Sequence, residues 1–189
     1  MDTLGNSATK ALHILRIMLW CSALLATVPS TAQLSSDKRV DWNLPDAARV
    51  RLEKAGTLAK YALADRLNPF YLRGDYDGDG KPDYAVFVIN KATKKHGIVV
   101  VKSSTTGVDI LGAGGAKLRV GTGSDSYLLE DFDWMDEWYV QRKQRVSEEL
   151  GSEVAAIMRD EGIVVGKSES ASALVFWNGK RWLWRQMGD

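Results

Sequence analysis

The segment Asp75-Tyr76-Asp77-Gly78-Asp79-Gly80-Lys81-Pro82-Asp83 holds the densest run of chemistry in the chain. Its aspartates fall at relative positions one, three, five and nine. Carboxylates packed that closely repel one another, and Arg73 and Lys81 offset only part of the charge. A hard divalent cation resolves the conflict. Ca²⁺ takes six to eight oxygens and tolerates irregular geometry, whereas Mg²⁺ demands a strict octahedron and keeps its waters. The expected ligands are the side chains of Asp75, Asp77, Asp79 and Asp83 with the backbone carbonyl of Lys81. Gly80 is expected at positive φ, where the chain must reverse. An EF-hand would close with a carboxylate at position twelve, but Val86 stands there. The alternative is a solvated acidic turn without metal. A catalytic metal ranks last, because a loop built wholly of protein ligands leaves little open coordination for a substrate.

Other constellations are weaker. Asp131, Asp133, Asp136 and Glu137 surround Trp134 and Trp138. Paired carboxylates suit glycoside hydrolysis, and indole rings stack on sugars. At helical spacing the two tryptophans would share a face, which favours packing instead. Trp177, Trp182 and Trp184 offer a carbohydrate platform, or a core plug under the N-terminal helix. His96 falls in a Lys-Lys-His-Gly turn, with neither nucleophile nor orienting acid marked, and reads as a surface residue. The glycines at 112, 114 and 115 lack the spacing of a phosphate loop. No catalytic constellation emerges, so the chain is expected not to be an enzyme.

The elements that must position these residues follow from periodicity. Pro45 suits a first helical turn. Ala47, Ala48, Val50, Leu52, Ala55 and Leu58 recur near helical spacing, with Gly56 weakening the end. Residues 70–73 and 84–89 read as strands flanking the aspartate loop, and the second is apolar enough to be buried on both faces. Residues 97–102 and 108–111 continue an antiparallel meander. Residues 141–160 read as a helix broken at Gly151, and 163–165 as a short strand. Residues 173–177 and 180–184 form a hairpin about the two-residue signal Asn178-Gly179. In that hairpin Val175, Trp177, Trp182 and Trp184 share one face, while Leu174, Phe176 and Leu183 share the other. The fold class expected is α+β: a single antiparallel β-sheet meander of about six or seven strands with an N-terminal helix packed on it.

With these elements in place, residues 74–84 resemble the Ca²⁺ loop of FG-GAP and VCBS-type repeats. That resemblance implies that Asp75, Asp77, Asp79 and Asp83 bind Ca²⁺ by their side chains and Lys81 by its carbonyl. It covers a small part of the chain. The motif occurs once, and a propeller needs several copies, so adhesion through a propeller face is not expected.

The N-terminal residues carry a different message. Lys10 and Arg16 precede an apolar run from Ile17 to Val28, and Pro29-Ser30-Thr31-Ala32 supplies small residues before a cut after Ala32. That is the layout of a secretory signal peptide over 1–32, with a single α+β domain over 33–189. The apolar run is shorter than the ~20 residues of a bilayer span, so no stable membrane span is expected after cleavage. Cleavage would remove Cys21, the only cysteine, and leave basic and acidic side chains balanced. Export without cysteine fits a periplasm or the extracellular medium. The formal net charge of +1 carries no basic block, which argues against nucleic acid. The expectation is an exported, non-enzymatic Ca²⁺-binding module with a protein or glycan partner. The alternative is a carbohydrate-binding or carbohydrate-hydrolysing protein using residues 131–138.

Overall fold

Strand β3 (Asp83–Asn90) shows why one sheet is not enough. Ala85, Val86, Phe87 and Val88 are all fully buried. Successive side chains on a strand point to opposite faces, so both faces of β3 need apolar cover. Ala85 and Phe87 join a core with Ile98, Val100, Leu111, Ile163, Val165 and Val175. Val86 and Val88 join a separate cluster with Ala48 and Leu52 of helix α1 (Asp46–Lys54).

The computed structural model describes residues 43–115, 118–121, 124 and 126–188. The signal peptide expected over 1–32, and the domain start at 33, lie outside these residues.

After α1 come α2 (Thr57–Lys60), β1 (Tyr61–Leu63), β2 (Tyr71–Gly74), β3, β4 (His96–Val101) and β5 (Val108–Gly112). These strands form the first sheet, ordered β1-β3-β4-β5. Strand β2 also pairs with β3. Tyr61 lies opposite Asn90 and Tyr71 opposite Val86, so β1 and β2 sit end to end along one edge of β3. Strands β6 (Leu118–Val120) and β7 (Tyr127–Leu129) pair as a separate two-stranded sheet. Then follow β8 (Glu137–Gln141), α3 (Lys143–Leu150), α4 (Ser152–Ile157), β9 (Gly162–Gly166), β10 (Ser172–Trp177) and β11 (Trp182–Gly188). They build a second main sheet ordered β11-β10-β9-β8. Every pairing is antiparallel.

The fold is therefore mostly β with several antiparallel sheets, and the single meander is corrected. The inner faces of the two main sheets share one core. Helix α1 covers the outer face of the first sheet. Helices α3 and α4 cover the outer face of the second, over Val164, Leu174 and Phe176. Apolar strands in both halves of the chain each required two covering layers, and one sheet under one helix could not supply them.

The helix expected over 141–160 is divided, as foreseen, at Gly151, whose φ of 98° fits glycine and few other residues. The last hairpin keeps the expected faces but not the two-residue turn. Trp177 lies opposite Trp182, so residues 178–181 form the loop. The Asn178 side-chain oxygen accepts from the backbone N–H groups of Lys180 and Arg181. The loop exceeds the two-residue form by two, which preserves the alternation of faces. Trp177, Trp182 and Trp184 pack with the core between the sheets, not under the N-terminal helix. Leu174, Phe176 and Leu183 lie with α3 and α4.

Candidate metal centre

The aspartate loop joins β2 to β3 at one end of the first sheet. Its shape comes from its own carboxylates. Asp75 Oδ1 accepts from the N–H groups of Gly78 (2.8 Å) and Asp79 (3.1 Å), and Oδ2 accepts from Gly80 N–H (2.8 Å). Gly78 and Gly80 adopt φ of 75° and 78°, the left-handed region in which glycine is unstrained. The reversal expected at Gly80 is present.

Asp83 opens β3 and is fully buried. Its Oδ2 accepts from the N–H groups of Tyr76 (3.0 Å) and Asp77 (3.3 Å), and its Oδ1 from Ser103 N–H (2.6 Å). Burial, helped by the Asp77 charge, pushes its carboxyl up to about 6 although three N–H groups pull the other way. Asp77 Oδ2 accepts from the Ser104 hydroxyl. Asp77 Oδ1 is buried and has no hydrogen-bond partner among the described residues. One carboxylate oxygen from each of Asp75, Asp77 and Asp83 lies within 4.8 Å of the other two. Among the described residues no ion pair neutralises these three.

This group could hold a metal ion, and the donor set fits one. Asp75 Oδ2 and Asp83 Oδ1 each accept one N–H and keep a second lone pair. The Asp77 oxygen without a partner is the group that a cation would satisfy. Ligation by Asp75, Asp77 and Asp83 would leave the loop hydrogen bonds in place.

Asp79 stands apart from this trio. Its Oδ2 accepts from the Ser103 hydroxyl (2.6 Å) and its Oδ1 from Lys81 N–H (2.8 Å). The Ser103 hydroxyl holds its carboxyl below the usual carboxylate range. Lys81 is exposed, and its N–H is tied to Asp79.

Three residues were missed in the sequence. Glu161 Oε2 accepts from Asp75 N–H (2.8 Å), and Glu161 N–H donates to the Asp75 carbonyl (3.0 Å). Glu161 immediately precedes β9, so it ties the loop to the second main sheet. Ser103 and Ser104 come from the turn after β4. A signal for Ser103 existed in the register: Tyr84 pairs with Val101, which carries the turn past Asp83. Glu161 had no local signal, because it lies 86 residues from Asp75.

The other predicted residues do not assemble into a site. Asp131 Oδ1 accepts from the N–H groups of His96 and Asp133. Asp136 Oδ1 accepts from the N–H and hydroxyl of Ser168. Asp133 pairs with Arg66, and Glu137 is exposed. Trp138 is buried, and its indole N–H donates to the Pro69 carbonyl. His96 is not the surface residue expected. Its side chain is 18% exposed, and its Nδ1 lies 3.4 Å from Asp133 and 3.7 Å from Asp131. Its ring stacks on Phe87 of the neighbouring strand, and it opens β4 beside the 131–133 turn. No helix among the described residues is long and apolar enough to cross a membrane.

No protein-family model, curated protein or solved structure matches the chain.

Proposed function

We propose that the chain is an exported, non-enzymatic Ca²⁺-binding protein whose metal at Asp75, Asp77 and Asp83 stiffens the junction between its two main sheets. The buried Asp77 oxygen without a partner, in a trio of carboxylates with no counter-cation among the described residues, carries the reading. Ca²⁺ suits an all-oxygen, irregular set better than Mg²⁺. The carbonyl of Lys81 and water would complete the shell, as the FG-GAP-like loop implies. The metal would hold more than the β2–β3 hairpin. The loop is bonded to the turn after β4 and to Glu161, so a rigid loop would fix a binding module built on both sheets. Export rests on the signal-like residues 1–32.

Calorimetric titration of the chelated protein tests the metal. Saturable Ca²⁺ binding is expected, with Mg²⁺ much weaker. At a hundredfold excess over Kd, Ca²⁺ should stabilise by about 2.7 kcal/mol, or roughly 5–10 °C in Tm. Asp77→Ala should abolish the response. Asp79→Ala should weaken it and leave it measurable, because Asp79 faces Ser103. Absence of Ca²⁺ heat together with an unchanged Tm in chelator would sink the reading.

A second reading, glycan binding, is favoured by one observation. Tyr127, Trp134 and Trp184 line a hollow of about 270 Å³ beside Ser172 and Gln186. Aromatic rings next to polar groups suit a sugar. Screening oligosaccharides by tryptophan fluorescence should find a ligand lost in Trp134→Ala. A screen in which no oligosaccharide changes the emission rejects this reading.

A further inference from the structure

A groove of about 470 Å³ lies where the β6–β7 hairpin, α4 and β11 meet. Its walls include Leu128, Ile157, Phe176 and Leu183. Leu128 is 44% exposed and Ile157 51% exposed, so two of the few large apolar side chains left in water sit on one concave surface. Exposed apolar surface concentrated in this way marks a binding site more often than scattered single residues do.

The polar lining is one-sided. Among the described residues, Arg119, Arg181 and Arg185 are its charged side chains, and no carboxylate, hydroxyl or amide side chain lines it. Arg119 donates to the Ser126 hydroxyl (2.8 Å). Arg181 and Arg185 form no ion pair among the described residues. Glu149 borders the adjoining hollow that Arg185 shares, but its carboxylate is engaged by Gln141 and Arg145. In a chain of net charge +1, a cluster of three arginines facing an apolar floor is a local charge imbalance.

We propose that this groove binds a single-chain fatty acid, with the acyl chain along the floor and the carboxylate on Arg181 and Arg185. Guanidinium groups only donate, so the polar end of the occupant must accept. A carboxylate does so, in a geometry that matches the planar fork of arginine. A peptide would bring a backbone N–H with every residue, and among the described residues no side-chain acceptor lines the groove to receive one. An acyl chain carries no such group.

Titration with laurate, decanoate and dodecanol below micelle formation tests the proposal, read by calorimetry and by the fluorescence of Trp184. It is run in chelator, because no lining residue belongs to the aspartate loop or its partners. Failure of the metal reading and failure of this one are then separate results. Laurate should bind saturably, and decanoate, two methylenes shorter, about fifteenfold more weakly, as each methylene contributes about fourfold. The double variant Arg181→Gln with Arg185→Gln should bind laurate at least tenfold more weakly. Its dodecanol binding should be unchanged, which also shows that the groove is intact. Ile157→Glu should weaken both ligands. Laurate binding no tighter than dodecanol would overturn the proposal, as would no binding of monomeric laurate. Binding only to vesicles of anionic phospholipid would also overturn it and assign the face to a membrane surface.

Discussion

Asp83→Ala is expected to abolish the Ca²⁺ response and to destabilise the metal-free chain by about 3 kcal/mol, measured by denaturant unfolding in chelator. Asp83 is the buried member of the aspartate trio and accepts three backbone N–H groups. Alanine removes a metal ligand and leaves the N–H groups of Tyr76, Asp77 and Ser103 without their acceptor. A buried donor left unsatisfied costs about 1–3 kcal/mol. Part is recovered, because a buried carboxylate with no counter-ion is itself costly. Asp83→Asn separates the two roles. The amide oxygen still accepts on one side, so most of the stability should return, while the Ca²⁺ response stays weak. A Ca²⁺ response in Asp83→Ala equal to that of the parent chain would remove Asp83 from the site.

The same residue gives the metal-free chain a pH signature. Burial pushes the folded carboxyl up to about 6, while an unfolded aspartate titrates near ~3.9. Between these values the folded state holds the proton and the unfolded state has lost it. Stability is then fully present below about pH 4, falls as pH rises towards about 6, and is level above. The expected loss is about 2–3 kcal/mol, at 1.36 kcal/mol per unit. Asp83→Asn should flatten this slope. In the presence of Ca²⁺ the trend opposes it, because protons and metal compete for one carboxylate and affinity should drop below about pH 6. Unfolding curves of the chelated protein that are flat across this window would refute the assignment.

The sequence was informative where the chemistry was local. Asp75, Asp77 and Asp83 lie within one loop, and Gly78 and Gly80 supply the backbone conformations that bring their oxygens together. Asp79 looked equivalent by spacing. It is not among the carboxylates whose oxygens gather within 4.8 Å, and it is held by the Ser103 hydroxyl and the Lys81 N–H, which spacing alone does not reveal. Glu161 was invisible for the same reason. The division into separate sheets had a signal that went unused. Residues 84–89, and both faces of the final hairpin, read as doubly buried. Each such strand needs cover on both sides, and counting covers would have required a second sheet and a second helical layer. Strand β8 was hidden by composition. The acidic residues of 131–138 suggested a loop, whereas Trp138 points into the core from a strand beside β9, and Gln141 on the opposite face donates to Glu149 of α3. His96 was placed on the surface because its neighbours are lysines. The 131–133 turn that half-covers it comes from a distant part of the chain.

Lys102→Met is expected to destabilise the chain by about 2–3 kcal/mol, roughly 5–10 °C in Tm, whether or not Ca²⁺ is bound. The Lys102 side chain is 8% exposed, and its ammonium lies 3.0 Å from Asp109 Oδ2. It also lies 3.7 Å from the centre of the Trp177 ring. The same Asp109 oxygen accepts the indole N–H of Trp182. Lys102 follows β4 and Asp109 lies on β5, whereas Trp177 and Trp182 lie on β10 and β11. The cluster therefore joins the two main sheets through charge as well as apolar contact. A buried ammonium is stable only when paired, and the carboxylate and ring face both serve that purpose. Methionine keeps the stem's packing and removes the charge, so the loss reports the electrostatics and not a cavity. Asp109→Leu should cost a similar amount alone. The double variant should cost less than the sum, because a buried pair replaced by apolar groups is often nearly neutral. Additive losses would mean that the two residues act independently. A loss confined to the chelated protein would make this cluster part of the metal centre, so equal losses with and without Ca²⁺ are what distinguish the two junctions between the sheets.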